Sequence, residues 1–226
     1  MVFLDMFVVS TKTSLLIEMQ RKGIGLDFDG TILNSMQRHT EALRSVYPKI
    51  DDVSLNWEQE FLNYKRKGLS TLDYLRSHNI SEADNIVIKW VEIIESPSLL
   101  SIDCLYSGAY EALQRLAEFF DLYLATARTS TCGAIEQLDK YDLTAFFKSI
   151  YVVKPGRRAG QHKADCFEEG VLEYVVGDTE SDQEWAERCS AEFIPLSSGF
   201  RDVSFWTLKG AYPSAHLRDI PARLGL

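Results

Sequence analysis

Residues 24–31, Ile-Gly-Leu-Asp-Phe-Asp-Gly-Thr, are the stretch of sequence that decides the fold. Their apolar start is typical of a short buried strand, and their glycine-containing polar end is typical of the turn that follows such a strand. Asp27 and Asp29 lie two positions apart, so at a strand end their side chains point to the same side. Two carboxylates this close repel each other unless a cation lies between them or one of them holds a proton. The pair is therefore a candidate catalytic or metal-binding site.

Strand-like and helix-like segments alternate in the second half of the chain. Strands are predicted near residues 122–125, 150–153, 174–176 and 193–196, and helices near 108–120, 131–140, 161–169 and 182–189. Alternation at this spacing predicts an α/β protein with a Rossmann-like, three-layer core around a parallel sheet. Right-handed crossovers then place the carboxyl ends of the strands along one edge, where ligands bind in open α/β sheets.

The region between the first strand and this alternating half has a helical pattern and no strand signal from Ser35 to about Leu100. We therefore expect residues 35–105 to form a small all-helical cap domain, and residues 19–34 and 106–226 to form the α/β core. Residues 1–18 are a leader of uncertain role. They lack the positive start and the small-residue cleavage site of a signal peptide, and we expect them to be dispensable.

Other predicted strand ends also carry polar residues. Thr126 ends one strand, while Asp178 and Asp182 follow another within Gly-Asp-Thr-Glu-Ser-Asp, residues 177–182. Carboxylates without a nearby histidine or cysteine cluster favour a hard cation, of which Mg²⁺ is the natural choice. The hydroxyl of Thr126 and the backbone N–H groups after it are expected to bind an anion. Lys163 and Lys154 are the candidate cations for balancing a phosphoryl charge.

These residues carry a resemblance to a known family. In order along the chain, Asp-Phe-Asp-Gly-Thr (residues 27–31), the strand ending in Thr126, a lysine, and residues 177–182 resemble the four motifs of the haloacid dehalogenase superfamily of phosphohydrolases. The resemblance covers residues 23–196. It implies that Asp27 is the nucleophile that accepts the phosphoryl group and that Asp29 is the general acid and base. The second aspartate, Asp29, disfavours carbon–halogen chemistry, because the dehalogenases of the superfamily lack it.

The resemblance also implies the roles of the remaining site residues. Mg²⁺ would be held by Asp27, the backbone carbonyl of Asp29, and Asp178, with Asp182 in support. The phosphate would be held by Thr126, Ala127 and Lys163. Lys163 is favoured over Lys154 because the family lysine usually begins the helix that leads to the fourth motif. The helical segment resembles the mobile cap of phosphoglycolate-phosphatase-like members.

Composition limits the partners. The net charge of −9 and the pI near 5.0 disfavour binding to nucleic acid or to an anionic membrane surface. No apolar stretch approaches the ~20 residues of a membrane helix. Four widely spaced cysteines without a paired spacing indicate reduced thiols and a cytoplasmic location. We expect a small phosphorylated metabolite as substrate, and the sequence carries no signal for an oligomeric state. The polar residues of the cap that are candidates for contacting the leaving group of the substrate are His39, Arg44, Lys65 and Arg66.

The sequence therefore predicts a Mg²⁺-dependent phosphatase that hydrolyses a small phosphomonoester through an aspartyl-phosphate. Two alternatives remain: a phosphomutase that uses the same aspartates, and a catalytically silent protein that binds a phosphometabolite. The intact Asp27, Asp29 and Asp178 argue against a silent protein. Arg128 is interpreted either as a surface residue or as a partner for a second phosphate or a carboxylate on the substrate.

Overall fold

The computed structural model describes residues 21–226, so the expected leader, residues 1–18, lies outside the described residues. The central strands are β1 (Gly23–Leu26), β4 (Asp121–Ala127), β5 (Phe147–Val153), β6 (Leu172–Gly177) and β7 (Glu192–Pro195). They form one parallel sheet in the order β5-β4-β1-β6-β7. Two shorter strands, β2 (Leu33–Asn34) and β3 (Cys104–Leu105), pair with each other in an antiparallel ladder.

Helices cover both faces of the sheet, and the predicted three-layer α/β core is confirmed. They are α6 (Ala109–Ala117), α7 (Thr131–Lys140), α8 (Ala159–Ala164), α9 (Glu180–Arg188), α10 (Val203–Leu208) and α11 (Ile220–Arg223). Alternate residues of β4 enter opposite layers: Leu122 and Leu124 join one apolar cluster, whereas Tyr123 and Ala125 join the other. This alternation is what a strand buried on both faces requires.

A helical insertion, defined here as residues 36–100, separates β2 from β3. It contains α1 (Met36–Val46), α2 (Trp57–Arg66), α3 (Thr71–Ser77), α4 (Ala83–Ile93) and α5 (Pro97–Leu100). The insertion has its own apolar cluster, which includes Trp57, Phe61, Tyr74 and Ile86. The chain enters and leaves it through the β2–β3 ladder, where Leu33 pairs with Leu105 and Asn34 with Cys104.

The sequence predicts most elements well, but not all their ends. The helix predicted over 131–140 is found at Thr131–Lys140, whereas the one predicted over 161–169 is Ala159–Ala164. The shift has a packing cause, because Phe167 leaves the helix and packs against the aromatic cluster around Trp185. All four cysteines are free thiols. Among residues 21–226, the structure contains no helix with the length and apolar character needed to cross a bilayer.

Candidate active site

The strand order brings the predicted site residues to one edge of the sheet. β1 lies between β4 and β6, and Leu26 at its end is level with Leu124 and Val176 on those neighbours. Asp27 and Asp178 follow the ends of their strands directly, and Thr126 lies near the end of its own. All three side chains are buried. The carboxyl edge of the sheet is therefore the candidate active site, as expected for an open parallel sheet.

Lys163 lies between two of the aspartates. Its Nζ atom is 2.6 Å from Oδ1 of Asp27 and 2.6 Å from Oδ1 of Asp182, and the residue is only 2% exposed. Lys154 is exposed, and its backbone carbonyl contacts the ring of His162 at 3.0 Å. Of the two lysines that the sequence proposes, the structure thus brings Lys163 to the carboxylates.

The three aspartates form a concentrated negative cluster. Carboxylate oxygens of Asp27, Asp178 and Asp182 all lie within 4.8 Å of one another, and Lys163 is the one ammonium group bonded to them among the described residues. Burial raises the pKa of Asp27 to about 7, although the ammonium of Lys163 opposes this rise. Burial, together with the charges of Asp27 and Asp182, raises the pKa of Asp178 well above its usual range. Lys163 alone therefore does not balance the cluster, which either binds a further cation or holds a proton.

Asp178 has the features of a cation ligand. Its Oδ2 atom accepts a hydrogen bond from the backbone N–H of Phe200 at 2.5 Å, whereas its buried Oδ1 atom has no hydrogen-bond partner among the described residues. A buried carboxylate oxygen without a donor is costly unless a cation binds it. The donor set, made of carboxylate oxygens only, fits Mg²⁺.

Two glycines make room for the Asp178 side chain. A Cβ atom at Gly30 would lie 2.2 Å from Oδ2 of Asp178, and a Cβ atom at Gly199 would lie 2.0 Å from the same atom. Gly30 also has a φ of 81°, in the left-handed region that favours glycine. The glycine after Asp29 is thus required both by the turn and by the close approach of Asp178.

Asp182 is fully occupied by structural hydrogen bonds. Its Oδ2 atom accepts from the backbone N–H of Thr179 at 3.0 Å and from the Thr179 hydroxyl at 2.9 Å, which caps α9. Its Oδ1 atom binds Lys163. These contacts make Asp182 suited to positioning Lys163.

Asp29 is held by two arginines. Arg128 donates from Nε at 2.7 Å and from Nη2 at 2.8 Å, and Arg38 of the insertion also donates to the same carboxylate. Burial alone would raise the pKa of Asp29, but the two guanidinium groups outweigh it and hold the pKa well below the usual range. Asp29 is therefore ionised in this arrangement.

The two arginines at Asp29 were only partly foreseen from the sequence. Arg128 is only 4% exposed, so its interpretation as a surface residue is wrong. Arg38, at 3% exposure, was not proposed at all. Arg128 also donates from Nη1 to Oε1 of Gln137 at 2.5 Å. The only feature of the sequence that pointed to an arginine in the site was the position of Arg128, two residues beyond Thr126 at the same strand end.

The backbone N–H groups after Thr126 are less available than expected. The N–H of Arg128 donates to the carbonyl of Val153 at 3.0 Å. The N–H groups of Thr129 and Ser130 donate to the carboxylate of Glu95 at 3.0 and 2.6 Å. The expectation of free anion-binding groups is therefore wrong at these three positions, while Ala127 borders the cleft described next.

A cleft with two cavities separates the insertion from the sheet edge. The first, of about 210 Å³, is bordered by Asp29, Arg38, Ala127 and Arg128, and the second, of about 480 Å³, by Lys65, Thr179 and Arg201. His39 borders both cavities, and its ring lies between those of Trp90 and Phe200, with centroids 5.2 and 4.5 Å away.

The leaving-group candidates from the sequence divide into two pairs. His39 and Lys65 border the cleft, whereas Arg44 and Arg66 border neither cavity. Arg44 forms ion pairs with Glu41, Asp51 and Glu58 on the insertion. The expectation that Arg44 faces the cleft is therefore wrong, because nearby acidic residues hold its guanidinium group elsewhere.

Solved structures share this fold over most of the chain. A haloacid dehalogenase-like family hydrolase from Streptococcus pneumoniae has a TM-score of 0.69 and 15% identity, over 90% of this chain and 98% of its own. A protein described as a predicted phosphatase from Clostridium acetobutylicum has a TM-score of 0.68 and 17% identity, over 92% of this chain and 100% of its own. A candidate β-phosphoglucomutase from Thermotoga maritima has a TM-score of 0.60 and 18% identity, over 90% and 98%. At these identities the likeness establishes the fold alone.

Fold and site together define an α/β protein with an acidic, lysine-containing site at the carboxyl edge of a parallel sheet. The family model for haloacid dehalogenase-like hydrolases matches residues 24–195, about three quarters of the sequence. The chain belongs to that family, which confirms the resemblance found in its motifs. No curated protein matches the sequence significantly.

Proposed function

We propose that this protein is a Mg²⁺-dependent phosphatase that hydrolyses small phosphomonoesters through a covalent aspartyl-phosphate on Asp27. The observation that carries the proposal is the contact of Asp27 with Lys163 inside the buried acidic cluster. A lysine ammonium group next to a carboxylate nucleophile provides charge where the equatorial oxygens of a transferring phosphoryl group require it.

The first chemical step is transfer of the phosphoryl group to the protein. A carboxylate oxygen of Asp27 forms a bond to phosphorus while the bond from phosphorus to the leaving oxygen breaks. The leaving oxygen takes a proton from Asp29. Because Arg128 and Arg38 keep Asp29 ionised in the arrangement described, this donation requires both arginine contacts to loosen, so that Asp29 takes up a proton before the step. Thr126, Ala127 and Lys163 bind the phosphoryl oxygens.

The second step returns Asp27 to its starting form. The ionised Asp29 takes a proton from a water molecule, and the water oxygen bonds to phosphorus as the bond to Asp27 breaks. Asp27, Asp178 and the backbone carbonyl of Asp29 would hold Mg²⁺, with Asp182 in support. When bound, Mg²⁺ supplies positive charge that stabilises the phosphoryl oxygens.

The helical insertion is proposed to act as a mobile cap. Residues 35–105 would form the cap, and residues 19–34 and 106–226 the core. Several contacts join the described parts. Glu95 accepts from the N–H groups of Thr129 and Ser130, Arg38 donates to Asp29, and Arg201 donates to the backbone carbonyl of Lys65 at 2.6 Å. A cap that closes over the sheet edge excludes water and macromolecules, so the substrate is a small metabolite.

The test of the proposal is phosphate release from p-nitrophenyl phosphate and from a panel of phosphorylated metabolites, with and without Mg²⁺. We expect Mg²⁺-dependent release of inorganic phosphate from at least one metabolite. A phosphomutase is the second candidate, because one solved relative is named as a candidate β-phosphoglucomutase. An isomeric phosphate ester formed without phosphate release would identify a mutase. Binding of a phosphometabolite without any turnover would identify a silent protein.

The metal site can be tested without an activity assay. Mg²⁺ is expected to raise the melting temperature of the wild-type protein, because a ligand that binds only the folded state stabilises it by about 2.7 kcal/mol at one hundred times its dissociation constant. Asp178→Asn should abolish most of this rise, since it removes the carboxylate whose Oδ1 atom has no protein donor. Asp165→Asn, at an exposed position, is the control and should keep the full rise. An equal rise in all three proteins would refute the assignment.

A further inference from the structure

We propose that Lys65 is a specificity-determining residue that binds an anionic group, a carboxylate or a second phosphate, on the leaving group of the substrate. The inference rests on the proposed phosphatase function and adds the substrate class to it. Lys65 lies in the last turn of α2, and its side chain reaches the larger of the two cavities in the cleft.

The ammonium group of Lys65 has no counter-ion. No acidic side chain of residues 21–226 lies within ion-pair distance of its Nζ atom, which instead lies over the rings of Trp90 and Phe61 at 5.1 and 5.4 Å from their centroids. Aromatic faces stabilise a cation only partly. A partly buried ammonium group that points into a cavity is therefore ready to receive an anion.

The surroundings of Lys65 have the matching charge. Two cations, Lys65 and Arg201, border the cavity of about 480 Å³, and no acidic residue borders it. Arg201 already forms an ion pair with Glu180, at 2.7 Å from Nε to Oε2. Lys65 is thus the cation of this cavity whose charge is not balanced within the described residues.

The neighbouring cavity contributes a free hydrogen-bond donor rather than net charge, because Asp29 and Glu95 border it together with its two arginines. Arg38 borders it, and its buried Nη1 atom has no hydrogen-bond partner among the described residues. His39 lies between the two cavities. Burial, with the charges of Lys65, Arg38 and Arg128, lowers the pKa of His39 well below its usual range. His39 is therefore neutral and adds no charge of its own to either cavity.

The position of Lys65 in the chain assigns it to the leaving group. The nucleophile Asp27 and the residues proposed to bind the phosphoryl oxygens, Thr126, Ala127 and Lys163, all come from the α/β core. Lys65 comes from the insertion on the opposite side of the cleft. It therefore faces the part of the substrate that is not transferred.

The test compares phosphate esters that differ in one charged group. The first pair is 3-phosphoglycerate and glycerol 3-phosphate. The first compound has a carboxylate where the second has a hydroxymethyl group. The second pair is propane-1,3-diol bisphosphate and 3-hydroxypropyl phosphate, in which a second phosphate replaces a hydroxyl group. We expect the wild-type protein to favour the charged member of at least one pair in kcat/KM by about tenfold or more. The pair with the larger preference identifies carboxylate or phosphate.

Variants of Lys65 connect this preference to its charge. Lys65→Gln is expected to reduce the ratio of kcat/KM for the charged substrate to kcat/KM for the uncharged substrate by about tenfold. Lys65→Glu is expected to reduce this ratio further. Lys65→Arg keeps the charge and should retain the preference, which separates the effect of charge from that of packing. Lys67→Gln, at an exposed position at the end of the same helix, is the matched control and should keep the wild-type ratio.

Substrate preference tests the role of Lys65, whereas hydrolysis of any phosphate ester tests the proposed function. If the wild-type protein hydrolyses both members of each pair equally, or if Lys65→Gln keeps the wild-type ratio, the role of Lys65 is wrong while the phosphatase function stands. If the wild-type protein hydrolyses no phosphate ester, including p-nitrophenyl phosphate, the proposed function itself fails.

Discussion

Replacement of Asp27 by asparagine is expected to reduce turnover by ~10³-fold or more while leaving the fold intact. The amide keeps the shape of the side chain, but it is neither a nucleophile nor an anionic metal ligand. Lys163 retains its contact with Asp182 in the variant, so its buried ammonium group keeps one partner. The measurements are steady-state phosphate release with Mg²⁺ and a thermal melt of both proteins.

Two further observations make the Asp27 prediction specific. Asp165→Asn changes an exposed aspartate and should leave both rate and melting temperature unchanged. Mass spectrometry of acid-quenched wild-type protein should detect a phosphoryl adduct on the peptide that contains Asp27, and the variant should show none. A variant that kept most of the wild-type rate would require another nucleophile.

Lys163→Met is expected to impair both stability and activity. The variant leaves Asp27, Asp178 and Asp182 together without an ammonium group, and removal of one partner from a buried ion pair typically costs about 3–5 kcal/mol. Loss of its charge at the phosphoryl oxygens should reduce kcat by ~10²-fold or more. Chemical denaturation with and without Mg²⁺ measures the first effect, and Mg²⁺ should recover part of the lost stability.

Lys154→Met provides the matched comparison for Lys163→Met. Lys154 is exposed, so its replacement should change the free energy of unfolding by less than about 0.5 kcal/mol and leave kcat unchanged. The sequence alone leaves both lysines in contention, because Lys154 directly follows a strand and precedes a proline. Loss of activity at Lys154 alone would transfer the phosphate-binding role to it.

The architecture was predictable because its signals are local. Buried strands that end at polar or glycine-containing turns, separated by amphipathic helices, are visible within about ten residues of sequence. Asp27, Asp178 and Thr126 converge because parallel connectivity gathers strand ends at one edge. The β2–β3 ladder was not predicted, since two residues per strand are too few to show an alternating pattern.

The contacts made by the insertion could not be predicted from sequence. Glu95 accepts from backbone groups of the core 34 and 35 positions away, and Arg38 donates to Asp29. Such pairs depend on how the insertion docks on the sheet, which no local pattern encodes. The pairing of Arg128 with Asp29, 99 positions away in the core, was equally invisible, because a charged residue after a strand is otherwise typical of the surface.

The attachment of the insertion through a single β2–β3 ladder has a consequence for the order of folding. β1 pairs with β4, and the residues between them, 27–120, form a long loop if they remain unstructured. Each doubling of loop length adds about 0.6 kcal/mol to the entropic cost of closing it. The insertion has its own apolar cluster, so it can fold first and hold Leu33 next to Leu105. The distance along the chain that β1 and β4 must close is then reduced about fourfold, which lowers the closure cost by about 1.2 kcal/mol and favours assembly of the insertion before the sheet.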